Sequence, residues 1–198
     1  DIFCLCAVAL FGLASVALAE EGLMGYWNFD ADSAEKVKDL SGMGNDGKLE
    51  GNAKLVANGN GRALELDGTL SSVIVPHSEC LNLADKGTVC AWVRFASYEK
   101  EPVAPAVIQK GSGVGWVAGG YHIFVHIENK SVYGAVYNGQ GGGETYDNVS
   151  FGMPAPGEWH QLAYAWDGAK LCGYVDGKSV ATQPQRVKVW VNNQPLQI

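Results

Sequence analysis

Two carboxylates two residues apart on a strand project from one face, and Glu65 with Asp67 comes closest to that arrangement here. Glycoside hydrolysis works through two such groups held about 5–9 Å apart, one as acid and the other as nucleophile or base. Both fall in Ala63-Leu64-Glu65-Leu66-Asp67-Gly68 and run directly into an Asp-Gly turn. Edge and turn chemistry accounts for them, and no catalytic residue is assigned. The four histidines make no convincing metal centre. His122 and His126 share a strand face, but four residues along a strand separate them by about 13 Å, too far to share a zinc. Gly139-Gln140-Gly141-Gly142-Gly143 lacks the Lys-Ser/Thr and the following helix that a phosphate cradle needs.

Oxygen chemistry concentrates in Asp39-Leu40-Ser41-Gly42-Met43-Gly44-Asn45-Asp46-Gly47, where three glycines let the backbone turn. A hard cation such as calcium takes carboxylate, amide and carbonyl oxygens. Asp30, Asp39, Asn45 and Asp46 are therefore candidate ligands of a structural calcium. Turn-making through Asx hydrogen bonds is the other use of the same residues.

Aromatic side chains supply a different chemistry. Sugar rings present apolar C–H faces with hydroxyl edges, which suit flat aromatics beside polar donors. Period-two alternation puts His122, Phe124, His126, Tyr133 and Tyr137 on one strand face, with Trp92, Arg94 and Tyr174 as neighbours and Trp116 and Tyr146 on loops. Burial of that set beneath covering loops or another domain is the competing reading.

Strands must position all of these groups. Beyond the N-terminal run, no window keeps apolar residues at helical spacing for three turns, whereas short alternating runs bounded by Gly, Asn, Asp and Pro recur. The chain is read as all-β, with strands near 23–29, 46–56, 62–67, 72–76, 88–97, 105–110, 121–128, 131–138, 145–151, 159–166, 170–176 and 187–191. Short helical turns are placed at 33–38 and 78–83. A two-residue turn at Asp167-Gly168 pairs Tyr164 with Leu171 and Leu162 with Gly173, which sends Leu162, Tyr164, Trp166, Leu171 and Val175 to the core. A two-residue turn at Asn129-Lys130 pairs Ile127 with Val132, Val125 with Gly134 and Ile123 with Val136. A four-residue turn there preserves the facing, and a three-residue turn breaks it.

Residues 1–19 end an apolar run at Ala17-Leu18-Ala19, the pattern of a signal peptide whose start is missing. The remainder, 20–198, is one domain destined for a secreted, periplasmic or cell-surface setting, with no membrane insertion of the mature part. A formal charge of -7 without a basic cluster argues against nucleic acid and anionic lipid as partners. Cys80, Cys90 and Cys172 remain after cleavage, and either a Cys80–Cys90 staple or three buried thiols fits them.

Met24-Gly25-Tyr26-Trp27-Asn28-Phe29-Asp30, the Asp39–Gly47 loop, Arg62–Gly68, Thr88-Val89-Cys90-Ala91-Trp92-Val93, Trp159–Gly168 and Tyr174-Val175-Asp176-Gly177-Lys178 follow one another in order. Together they resemble the bacterial laminin-G-like, concanavalin A-like jelly-roll domains over about residues 22–198. The resemblance implies an antiparallel two-sheet β-sandwich, often with a structural calcium near the Asp39–Gly47 loop. It also implies a C-terminal closing strand beyond Pro195-Leu196-Gln197-Ile198, so that unpaired strand edges are expected. It points to a non-catalytic recognition module that binds a glycan or cell-surface protein alongside other domains of the same polypeptide. A spacer without ligand and, more distantly, a sandwich-fold glycosidase or lyase are the alternatives.

Overall fold

Alternation along the chain does build strands. In β6 (Gly87–Phe95) the side chains of Val89, Ala91, Val93 and Phe95 are buried, and those between them are half-exposed. The structure, a computed structural model, describes residues 2–5, 22–30, 36–68, 71–98, 105–111, 119–139 and 146–198. These form two seven-stranded antiparallel sheets. The first runs in space β13 (Lys178–Pro184), β12 (Lys170–Val175), β11 (His160–Trp166), β6, β1 (Ile2–Leu5), β4 (Gly61–Leu66) and β3 (Lys54–Asn58). The second runs β10 (Tyr146–Ser150), β9 (Ser131–Tyr137), β8 (Tyr121–His126), β7 (Ala106–Lys110), β14 (Leu196–Gln197), β5 (Ser72–Val75) and β2 (Lys48–Glu50).

The sheets pack face to face around Phe29, Val73, Val75, Val93, Phe95, Ile123, Val125, Leu162, Tyr164 and Leu171. Close approach depends on Gly134, where a Cβ would lie 2.6 Å from the Tyr164 ring. Tyr164 fills that space and donates its hydroxyl to the Ala135 carbonyl at 3.1 Å, so the large buried ring keeps its polar end satisfied.

Both hairpins differ from expectation in register while keeping their facing. Tyr164 pairs with Gly173 and Leu162 with Val175, across a four-residue turn in which Asp167 Oδ1 accepts from the Ala169 and Lys170 N–H groups. Likewise Val125 pairs with Val132 and Ile123 with Gly134, with the turn closed by Lys130 N donating to Ile127 O at 2.9 Å. Each register has slipped by two residues, an even number, so no side chain changes face. The expected strands at 23–29 and 187–191 carry no ladder, and 46–56 divides into β2 and β3. Of the two expected helical turns, Glu79–Leu81 forms a 3-10 turn. Lys36 and Val37 are bridge positions instead, Val37 pairing with Gly47, and 33–35 lies outside the described residues. Strands β13 and β14 were not anticipated. Nor was β1, which draws on the run read as an export signal and pairs with both β4 and β6.

Candidate recognition site

The outer face of the second sheet carries an unbroken tier of rings. His126 meets Tyr133 (centroids 6.4 Å apart), Tyr133 stacks on Phe124 (5.5 Å), and Phe124 touches His122 (4.4 Å). His122 then meets Tyr137 edge-on (4.7 Å), and Tyr137 stacks on Tyr146 (5.3 Å). Pairing of β8 with β9 and of β9 with β10 places all six on one face. The expected set of His122, Phe124, His126, Tyr133 and Tyr137 is thus brought together, extended by Tyr146 on a strand rather than a loop.

Its accessibility is not that of an open face. His122, Phe124 and Tyr137 are fully buried, Tyr133 and His126 half-buried, and Tyr146 is 43% exposed. Phe124, Ala135 and Tyr137 form a second apolar cluster outside the main core. Burial holds the His122 imidazole neutral, its pKa pushed down to about 3, and neither ring nitrogen has a hydrogen-bond partner among the described residues. The central rings are closed to solvent, and the tier is most open at Tyr146.

Trp92 and Tyr174 do not join this tier. Trp92 pairs with Gln161 and Tyr174 with Ala163, which puts both on the outer face of the first sheet, across the sandwich. Arg94 lies over the Trp159 ring at 5.2 Å. Trp116 lies outside the described residues.

At the exposed end, Tyr146, Asp147, Asn148, Gln183, Pro184 and Arg186 line a pocket of about 420 Å³. Asp147 is buried and ties β10 to the segment after β13. Its carboxylate accepts from Arg186 N at 2.5 Å, Val187 N at 2.8 Å and Arg186 Nε at 2.8 Å. Burial works to raise the Asp147 carboxyl, but the two backbone N–H groups and the guanidinium outweigh it and hold it below its ordinary value. Arg186 Nη2 also pairs with Asp147 Oδ1 at 2.6 Å, and the side chain, 77% exposed, lines the pocket. Asn148, two residues beyond Tyr146, shares its face by strand alternation. Sequence reasoning missed Asn148, Gln183 and Arg186. The spacing of Tyr146 and Asn148 was readable, but nothing local announces that Gln183 and Arg186 arrive from another sheet.

The residues expected to hold calcium are arranged differently. Asp39 Oδ1 accepts from Tyr26 N (3.0 Å) and Ser41 N (2.9 Å), and its Oδ2 from Ser41 Oγ and Asn45 N, each at 2.8 Å. Asp46 accepts from Asp39 N at 2.9 Å and pairs with Lys36 at 2.6 Å. Asn45 gives its amide to Met24 O at 2.7 Å, while Asp30 accepts from Arg62 N at 2.9 Å, away from the loop. Donors converge on these oxygens, so the four residues as placed do not fit a calcium cradle. Among the described residues, no group of three His, Cys, Asp or Glu side chains is positioned for a metal. Cys80 and Cys172 are free thiols, so the expected Cys80–Cys90 staple is not formed, and burial raises the pKa of Cys90.

Glu65 pairs with Lys54, and Asp67 with Asn52 (2.8 Å) and Ser71. Among the described residues no helix is long and apolar enough to cross a membrane.

A family model described as the concanavalin A-like lectin/glucanases superfamily matches residues 67–198. No curated protein matches the chain by sequence. Similar solved structures include the binding domain of a paraclostridial mosquitocidal protein. It has 13% identity and a TM-score of 0.67, covering 86% of this chain and 43% of that one. Domain 4 of a GH43 extracellular arabinanase from Geobacillus stearothermophilus, in complex with arabinotriose, has 16% identity and a TM-score of 0.59, covering 88% and 82%. The receptor binding domain of botulinum neurotoxin type G has 12% identity and a TM-score of 0.60, covering 81% and 39%. The chain thus spans less than half the length of the first and third of these structures, and the likeness to all three is one of fold.

Proposed function

Because the chain belongs to the concanavalin A-like lectin/glucanases superfamily, we propose that it is a non-catalytic, extracytoplasmic recognition module that binds a glycan on a cell surface through Tyr146 and its pocket. The observation that carries this reading is the ring tier, buried along its length and surfacing at Tyr146 beside Asn148, Gln183 and Arg186. A tyrosine stacked from behind is already ordered, so a sugar ring placed on it costs little side-chain entropy. Amide and guanidinium donors around it match hydroxyl oxygens. Arabinotriose in the similar arabinanase domain and receptor binding by the similar toxin domain lend the reading support.

One further observation supports the non-catalytic part. Glu65 and Asp67, the carboxylates with the right spacing, are tied to Lys54, Asn52 and Ser71, as turn and edge residues are. Export through the signal-like run of residues 1–19 belongs to the same proposal, and cleavage after Ala19 would then take β1 out from between β4 and β6.

The test is a screen of neutral oligosaccharides against the full chain, followed by titration of the best ligand into Tyr146→Ala. Loss of one aromatic platform is expected to weaken binding about tenfold, equivalent to about 1.4 kcal/mol. Arg94→Ala, on the opposite face, should leave it unchanged. Equal affinity for Tyr146→Ala would reject this site, and silence across the whole screen would favour the ligand-free spacer.

A further inference from the structure

Lys110, the last residue of β7, is 1% exposed, a rare place for a side chain that is almost never fully buried unless paired. Its ammonium is enclosed mainly by oxygens of one later segment. Nζ donates to Asn192 O and Asn192 Oδ1, each at 3.1 Å, and to Gln194 O at 2.6 Å, and it meets His77 Nδ1 at 3.4 Å. Burial lowers the Lys110 pKa, and the Glu79 carboxylate opposes that shift. Closing an ammonium away from water is costly, and these acceptors offset the cost.

The segment so held is 185–195, a strap that joins β13 to β14 and crosses from the first sheet to the second without pairing in a ladder. Its course is set by pins instead. At one end Asp147 holds Arg186 N and Val187 N, and further on Trp190 N donates to Tyr137 O at 2.7 Å. Lys110 holds the far end. These last two pins are continuous with each other. Asn192 Nδ2 reaches Trp190 O and Lys110 O, each at 3.5 Å, and Tyr137 N donates to Gly120 O at 2.8 Å. Gly119 and Gly120 fill the space between, because a Cβ would collide with the Trp190 ring at the first and with the Lys110 carbonyl at the second.

Two groups of the Tyr146 pocket are reached by this strap. The Tyr137 ring stacks on Tyr146 at 5.3 Å, and Arg186 lines the pocket. We infer that Lys110 is a positioning residue for that pocket: it clamps the far end of the strap, so that Tyr137 stays behind Tyr146 and Arg186 stays beside it. The inference rests on the glycan reading of the pocket for its binding readout. Extended chain does not stretch, so slack at Asn192 passes to Trp190 and on toward Arg186. Coupling through a contiguous packed network of this kind changes affinity by about threefold to tenfold. A role confined to anchoring β14 would cost stability and leave the pocket unmoved.

The experiment substitutes Lys110→Met in the full chain, which keeps the stem and removes the ammonium. The first readout is solvent exchange of the Arg186 Nε–H, which donates to Asp147 Oδ1 at 2.8 Å and whose resonance Arg186→Lys identifies. Exchange should quicken at least about fivefold. The second is affinity for the best oligosaccharide of the screen, corrected for the folded fraction, which should fall about threefold to tenfold. Asn192→Ala cuts the link to Trp190 but leaves Lys110 two carbonyl acceptors, so it should act in the same direction more weakly and serves if Lys110→Met does not fold. Leu64→Ala, a core truncation on β4 at the other side of the first sheet, should destabilise the fold without either effect. Unchanged Arg186 exchange in both variants would overturn the inference. So would equal changes in Leu64→Ala, which would reduce Lys110 to a general stabiliser. Where wild type binds no glycan, the reading of the pocket fails, and the Arg186 signal alone decides whether Lys110 positions it.

Discussion

Replacing Asp147 with asparagine probes the joint on which the Tyr146 pocket rests. The buried carboxylate accepts two backbone N–H groups and the Arg186 guanidinium, within 2.5–2.8 Å. An asparagine keeps the size and one acceptor oxygen but turns its amide N–H groups toward donors. At least two charge-assisted bonds are lost, worth about 1.5–3 kcal/mol each when fully buried. The stranded guanidinium is mostly exposed and rehydrates at little cost, so the lower part of the range applies, about 3–4 kcal/mol in all. For a domain of this size that lowers Tm by roughly 5–15 °C. The pH dependence is a second readout. A carboxyl held below its ordinary value stabilises the fold above the ordinary carboxylate range and loses that contribution as pH falls below that range and through its own depressed value. The gap between wild type and Asp147→Asn should thus be full at pH 7, begin to narrow below about pH 5, and go on narrowing as pH falls through the carboxyl's own depressed value. Differential scanning calorimetry across that range measures both. A variant melting within about 1 °C of wild type at pH 7, or a gap that persists in acid, would refute the reasoning.

Two further outcomes follow from packing and from the Asp39 loop. Gly134→Ala forces a methyl against the Tyr164 and Phe151 rings and should cost about 1–3 kcal/mol in urea unfolding, with the m-value unchanged. Asp39→Ala leaves the N–H groups of Tyr26, Ser41 and Asn45 without their acceptor and should cost about 2–4 kcal/mol. Calcium and chelator should leave the wild-type Tm alike, and a calcium-dependent rise would show that the loop rearranges to bind the ion.

What the sequence made legible follows from period-two geometry. Facing in both hairpins survived a two-residue slip in register, because turn length was misjudged by an even number. Asp167 accepting from Ala169 and Lys170 closes a longer turn than Asp-Gly alone suggests. The same alternation gathered His122, Phe124, His126, Tyr133 and Tyr137 correctly. It placed Trp92 and Tyr174 on faces of their own strands but carried no information on which sheet those strands would join. Strand β13 escaped notice because Lys178–Pro184 is exposed at nearly every position and so has no apolar alternation to read. Strand β14, two residues long, is held by pairing with β5 and β7 rather than by its own pattern. Burial of His122, Phe124 and Tyr137 is the competing reading that the sequence left open, and alternation alone could not decide it because it fixes the face of a strand and not what covers that face.

Position at a sheet edge explains why recognition should concentrate at Tyr146. Rings in the middle of a strand face gain most by packing on one another, and here they do so until no surface remains on Phe124 or Tyr137. At β10, the last strand of its sheet, the stacking partner lies on one side alone, and the other face of the ring is left to solvent or ligand. An edge strand is also a hazard, because its backbone invites pairing with other chains. Asp147 answers that hazard locally by binding the N–H groups of Arg186 and Val187 across the gap between the sheets. The arrangement that protects the edge also brings Arg186 beside Tyr146. Edge protection and ligand recognition would then be selected together, so the Asp147 substitution should weaken glycan binding beyond what its effect on the folded fraction explains.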